Sequence, residues 1–276
     1  MSKPQLASTG AIWRRNSNAM KTPKGAARTK AARLKFKPNM LNFPMCRSGL
    51  GRAFERAART VELRQRLRQK RQQRLPDVEE TLRGRLEALC AEGWEIFERF
   101  DLEVRDHRFH PFIAADYETV LAALLPHRGP NLRFLEWGSA SGVITIMADL
   151  LGFDACGIEL DASLVATARD LARRFGSSAR FVNASFLPTG YQWKPSNGDG
   201  RTGTVGSGLS GYLQLGHHLD EFDVVFGYPW GGEEPMMLDL MKRYGRPDAL
   251  LLLHGVRDGV KSYRGGRDVT GTPRAT

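Results

Sequence analysis

Acidic side chains are missing from the start of this chain, where nothing before Glu55 carries a negative charge. Cysteine is nearly as scarce. Cys46, Cys90 and Cys156 lie far apart and form neither a C-x-x-C pair nor a Cys/His cluster. That spacing argues against a disulfide framework, suggests no metal site, and fits a reducing, cytoplasmic compartment. No apolar run is long enough to cross a bilayer, which takes about 18 residues or more. The best candidate, "FLEWGSASGVITIMADLLGF", is broken by Glu136 and Asp149.

What is present divides sharply by position. Residues 1–75 hold 20 of the 41 Lys and Arg but only two of the 30 acids, Glu55 and Glu62, and so carry +18. The remainder, with 21 bases and 28 acids, carries −7. A basic arm over residues 1–55 therefore precedes an acidic domain, and its mixture of Lys, Arg, Ala, Gly and Pro has too little apolar surface to offset the entropy of ordering. Three readings of the arm stay open: a solvated tail, a contact to nucleic acid or another acidic surface, and an organelle-targeting leader. A gene start at Met40 or Met45 would also account for it.

Residues 56–109 read as a helical lead-in. "RTVELRQRLRQKRQQRL" is an exposed basic helix with a thin apolar line, and Pro76 ends it. Asp77 and Glu80 then make a capping-box-like start, after which Val78, Leu82, Leu86, Leu89, Ile96, Phe97 and Phe100 recur at helical spacing. His110 leads into a second helix, "AADYETVLAALL". From Leu132 the pattern becomes strand and helix in alternation. "RFLEW", "ACGIEL", "ARFVNAS", "FDVVFGY" and "ALLLLHG" are short apolar strands, separated by amphipathic helices that each close on a glycine. This alternation predicts a doubly wound, mostly parallel α/β sheet over residues 110–264, with 265–276 as a flexible tail. Residues 188–219 are rich in Gly and Ser where a crossover helix is due, which predicts a mobile lid or a reduced connection.

In such a sheet, ligands settle beyond the carboxyl ends of the strands. Gly138 and Gly142 follow the first strand there, where a sharp turn before a helix lets backbone approach a ligand. Glu159 closes the second strand 21 positions after Gly138, close to the roughly 20-residue offset at which an acid meets ribose hydroxyls. A nicotinamide-binding turn wants G-x-G-x-x-G, and Ala140 and Val143 stand where its glycines belong, so an oxidoreductase reading is disfavoured. The motif present is E-x-G-x-x-x-G, opening with Glu136.

That motif resembles the first motif of the class I S-adenosylmethionine-dependent methyltransferases, acid-x-Gly-x-Gly-x-Gly, with Ala140 in place of the middle glycine. The resemblance covers roughly residues 110–256. It implies a Rossmann-like sheet and S-adenosylmethionine as cofactor, held by Glu136 and the turn Gly138, Ser139, Ala140 and Gly142. It places Glu159 at the ribose and Asn183, Ala184 and Ser185 at the adenine. The chain leaves little room after "ALLLLHGV" for the family's last two strands. "GYPW" loosely echoes the Asn-Pro-Pro-Tyr motif of amino-group methylases, so Tyr228 and Trp230 with Pro229 are the expected substrate slot. The echo lacks an Asn or Asp to accept from a target amine, and no acceptor is implied. If a base is needed, Tyr228, His254 and Glu233 are the candidates, while His217 and His218 read as solvated loop residues. The alternative function is a noncatalytic nucleotide- or nucleic-acid-binding protein that uses the basic arm.

Overall fold

Five apolar runs of four to six residues are too short for buried helices and long enough for strands. They form β1 (Arg133–Trp137), β2 (Asp154–Glu159), β3 (Arg180–Asn183), β4 (Val224–Gly227) and β5 (Leu250–Gly255), all parallel to one another. The structure, a computed structural model, describes residues 79–105, 112–192, 208–230, 232–256 and 258–271. The basic arm, the basic stretch 59–75, the Asp77 cap and His110 lie outside the described residues. By contacts the chain divides into Met1–Ala58 and Arg59–Thr276, and every described residue belongs to the second unit.

The order across the sheet is β3-β2-β1-β4-β5-β6-β7. Progress along the chain runs outward from β1 to β3, then returns to the far side of β1 with β4. A crevice forms at that switch point because the connections leave β1 and β4 toward opposite faces. On one face lie α1 (Glu80–Phe100), α2 (Tyr117–Leu124), α3 (Val143–Leu150) and α4 (Ala162–Arg174). Phe134, Ala155, Phe181, Val224, Phe226, Leu250 and Leu252 reach them from the strands. On the other face lie α5 (Gly211–Leu215) and α6 (Glu234–Tyr244), over Leu135, Trp137, Cys156, Ile158, Val225, Leu251 and Leu253. Strand side chains alternate between the two faces, as the period of two requires.

The helices start where their caps say. Asp116 accepts from the Thr119 N–H at 3.1 Å and Asp161 from Ser163 and Leu164 at 2.7 and 3.1 Å, which satisfies donors no helical carbonyl can reach. Gly152 and Gly176 follow α3 and α4 with φ of 99° and 59°, as expected of helix-ending glycines. Gly245 differs. Its φ is −86°, and it is small because a Cβ there would lie 2.8 Å from the Met241 carbonyl oxygen.

The sheet does not stop at β5. The chain turns back at once into β6 (Gly259–Arg264), antiparallel to β5, and again into β7 (Arg267–Asp268). Two hairpins need only a few residues where a helical crossover needs a dozen, so the last strands fit in a length that looked too short for them. Residues after 264 are thus not all a free tail: Val269 donates to the Ser262 carbonyl at 2.8 Å. In place of a crossover helix, α2 packs against β6. Of 188–219, residues 188–192 and 208–219 are described. Ser185 and Ser210 form a parallel bridge, and the one-turn α5 brings the Tyr212 hydroxyl within 2.9 Å of the Trp137 indole N–H.

Two glycines of α1 separate propensity from packing. Nothing lies within 4 Å of a Cβ added at Gly84, whereas one added at Gly93 would meet Val143 Cγ2 at 2.7 Å and the Tyr117 ring at 2.9 Å. Gly84→Ala should therefore raise unfolding free energy by roughly 0.5 to 1 kcal/mol. Gly93→Ala should lower it by roughly 1 to 3 kcal/mol despite the same gain in propensity. Denaturant melts of the two variants check the opposite signs.

Candidate functional site

β1 delivers the chain to the crevice and a turn of five residues starts α3. Gly138, Ala140 and Gly142 have φ of 70°, 45° and 80°, so every second residue is left-handed. Several bonds hold this shape. The N–H groups of Gly138 and Ser139 both donate to the Ile158 carbonyl, at 2.9 and 3.0 Å, and the Gly142 N–H to the Ser139 carbonyl at 2.7 Å. Gly142 cannot carry a side chain, since a Cβ would lie 2.7 Å from the Ala168 methyl and 2.8 Å from the Phe181 ring. Beneath the turn, Tyr117 and Ser141 are both buried.

The turn opens onto a cleft at the carboxyl edge. Its empty space, counted with the open mouth, is about 740 Å³. Its lining combines Gly138, Ala140, Glu159 and Asp161 with the apolar Ile158, Leu160, Leu164, Ala184 and Phe186. Phe112, Ile113, Tyr228 and Trp230 complete it. The Tyr228 ring meets the His254 ring edge to face, centroids 4.6 Å apart, and burial pushes its hydroxyl pKa up. The Trp230 N–H donates at 2.9 Å to the carboxylate of Glu233, which is itself buried.

Of the residues expected at the cofactor, Gly138, Ala140, Glu159 and Ala184 line this cleft, and so do both slot residues, Tyr228 and Trp230. Five others take different places. Glu136 is buried on the α3 face of the sheet, where its Oε2 accepts from the Thr145 N–H at 2.9 Å and closely from the Thr145 hydroxyl. It points there because it alternates with Leu135 and Trp137, which occupy the opposite face. A carboxylate so placed satisfies an orphan donor in the first turn of α3 and opposes the helix dipole. Ser139 is buried too, its side chain filling the space above Gly157 that a Cβ would occupy, at 2.7 Å. Gly142 packs on α4, as described. Ser185 fastens the returning chain, its N–H donating to the Leu209 carbonyl at 2.9 Å and its carbonyl accepting from the Gly211 N–H at 2.8 Å. Asn183 donates to the Glu159 and Leu160 carbonyls at 3.1 and 2.7 Å and so fixes the end of β2.

Glu159 is the polar centre of the cleft. Its Oε2 accepts from the Ala140 N–H and its Oε1 from the Asp161 N–H, each at 2.8 Å. Burial raises its pKa, against the pull of backbone N–H groups of Asp161, Ala140 and Leu160. A carboxylate has about four acceptor positions, so two such bonds leave capacity toward the cleft. Among the candidate bases, Glu233 and His254 are buried at the rim, and the His254 Nε2 lies 3.4 Å from the Asp116 N–H. His217 instead bonds Glu221 at 2.9 Å, beside Arg133 at the amino end of β1 and away from the cleft. Among the described residues no cluster of three metal-ligating side chains occurs, and no helix is long and apolar enough to cross a membrane.

The sequence reading missed Phe112, Ile113, Asp161 and Phe186. Asp161 carried a usable signal, since an acid followed by Ala-Ser caps a helix two residues after the ribose candidate. Phe186 directly follows the expected adenine segment. Nothing in the spacing ties residues 112 and 113 to a site near residue 138.

Comparison with known proteins adds one sequence likeness. Over 73 residues the chain is 37% identical to ribosomal protein L11 methyltransferase of Thermus thermophilus, covering 25% of this chain and 29% of that protein. The chain thus matches less than a third of that relative's length. No family model matches. Among solved structures, precorrin-6y C5,15-methyltransferase from Geobacter metallireducens GS-15 is 19% identical over 55% of this chain and 70% of its own, with a TM-score of 0.38. An RNA methyltransferase from Salinibacter ruber, in complex with S-adenosyl-L-homocysteine, is 17% identical over 49% and 72%, with a TM-score of 0.35.

Glu136 supplies a pH test of the site's foundation. Burial raises its carboxyl pKa from the ordinary 4.5 to about 8, with the two Thr145 bonds pulling it down and Glu159 pushing it up. The folded state then binds the proton more tightly, so stability present below about pH 4.5 is lost as pH rises toward about 8. In Glu136→Gln this loss, roughly 1.4 kcal/mol per pH unit at its steepest, should disappear, leaving the same-sign slope of Glu159. Denaturant melts between pH 5 and 8.5 measure both slopes, and coincident slopes would show that Glu136 does not titrate in this range.

Proposed function

We propose that this chain is a class I S-adenosylmethionine-dependent methyltransferase. The observation that carries the reading is that the left-handed glycine turn after β1 and the carboxylate ending β2 meet in one cleft at the switch point of the sheet. The local identity to a methyltransferase supports it. The residues present suit the cofactor: Glu159 keeps acceptor capacity for ribose hydroxyls, the turn presents only Gly138 and Ala140 to the cleft, and Ile158, Leu160, Leu164, Ala184 and Phe186 offer an apolar bed for a planar base. When bound, S-adenosylmethionine supplies an electrophilic methyl on a sulfonium, so the chain's own task is to bind, orient and exclude water.

On this proposal Gly138 and Ala140 carry the methionine portion and Glu159 the ribose. Tyr228 and Trp230 form a wall against which a planar acceptor would lie, with His254 edge to face against the Tyr228 ring and the Glu233 carboxylate holding the Trp230 main-chain N–H. The acceptor's identity does not follow from this wall. A cytoplasmic setting, as the cysteine usage suggests, belongs to the same proposal. A second role rests on the charge division: the basic arm is a polyanion contact, because counterion release adds over Lys and Arg without needing a fold.

Calorimetry with S-adenosylhomocysteine tests the first reading. The chain should bind it, and Gly138→Val should abolish binding, since a branched side chain at a φ of 70° is strained and stands in the cleft. Absence of binding by the parent chain, or a preference for NAD, would sink the reading. For the arm, full-length protein should bind nucleic acid with a steep salt dependence that a form beginning at Gly51 largely loses while keeping its cofactor affinity. Equal nucleic-acid binding by the two forms would remove the arm from the account.

A further inference from the structure

Ala140 departs from the expected motif by a single methyl group, and the backbone shows what that methyl costs. With φ of 45° it is one of two non-glycine residues in the described chain with positive φ. The left-handed region disfavours a residue with a Cβ by a factor of about five to thirty at 25 °C. Such a conformation persists only where its surroundings enforce it. The neighbours at 138, 139 and 142 are held by main-chain bonds, but the Ala140 N–H is held by a side chain, the Oε2 of Glu159 at 2.8 Å. The other oxygen of that carboxylate is anchored to the Asp161 N–H, where α4 begins, so the group spans from the head of one helix to the turn that starts another. Both Ala140 and Glu159 line the cleft.

We infer that Glu159 is a positioning residue for the 138–142 turn in addition to the ribose contact proposed above, and that Ala140 is what makes the turn depend on it. With glycine at 140 the left-handed backbone needs no external support. With alanine, the carboxylate must hold the turn in its binding shape, so whatever weakens Glu159 costs the ligand twice, once at the ribose and once through the relaxed turn. The two residues are then energetically coupled in this chain.

A double-mutant cycle with S-adenosylhomocysteine as the probe reads that coupling, and it rests on the proposed function only in its choice of probe. Glu159→Ala and Glu159→Gln, which keeps one of the two acceptors, are each made in the parent chain and in Ala140→Gly. Affinity measured by calorimetry should fall at least threefold further on Glu159→Ala in the parent background than in Ala140→Gly, with Glu159→Gln between. Equal losses in both backgrounds would overturn the inference and leave Glu159 as a ligand contact alone. Should the parent chain not bind the probe, the proposed function fails and the inference is judged on the ligand-free proteins. Glu159→Ala must then lower the Tm more in the parent background than in Ala140→Gly, and equal decreases overturn it.

Discussion

Everything at the carboxyl edge depends on one backbone constraint, the alternation of left-handed residues between β1 and α3. Only that path takes the chain from a strand buried on both faces into a helix on one of them within five residues. It leaves main-chain atoms rather than side chains facing the cleft. The cost is met from two directions: the Ile158 carbonyl beneath Gly138 and Ser139, and Glu159 beside Ala140. The helices before β1 are also part of the site's support. Gly93 of α1 touches Val143, the first residue of α3, and α2 supplies Tyr117.

The two carboxylates near the turn illustrate how environment divides roles between like groups. Glu136 and Glu159 lie near the carboxyl ends of adjacent strands, and burial raises both pKa values. Glu136 spends its acceptors on Thr145 inside the protein and serves the helix. Glu159 spends its own on two backbone N–H groups yet stays at the cleft, where a ligand can still reach it. The difference is one of sheet register. Glu136 is the penultimate residue of β1 and points to a helix-covered face, whereas Glu159 is the last residue of β2, where the cover ends.

Most of the fold was legible because its signals are local. Each of the five parallel strands is a short apolar run, α4 has both its cap and its spacing of Leu164, Val165, Ala168, Leu171 and Ala172, and the glycine turn and its acid stand at a recognisable distance. What escaped depended on three-dimensional facts that leave no periodic trace. The motif E-x-G marks Glu136 as a site residue, but strand alternation turns it away from the cleft. β6 interleaves polar and apolar residues and β7 is two exposed charged residues, so no apolar run announces them. Phe112 and Ile113 join the site from a segment that is near only after α2 has docked. The exchange of glycine for alanine at 140 was visible, but that it loads a strained residue onto Glu159 required the backbone angle and the bond together.

The hairpins that end the sheet also settle a problem every open sheet has, which is what its last strand does with unpaired main-chain groups. β7 is two residues long, exposed, and made of one arginine and one aspartate. A strand so short offers almost no template for another chain, and its opposite charges favour water over an apolar partner. An exposed border running along β5, whose leucines at 250–253 are the most apolar segment of the chain, would invite pairing between molecules. Folding back twice moves that border outward to charged residues, so the protein's most adhesive strand is kept from self-association by its own continuation.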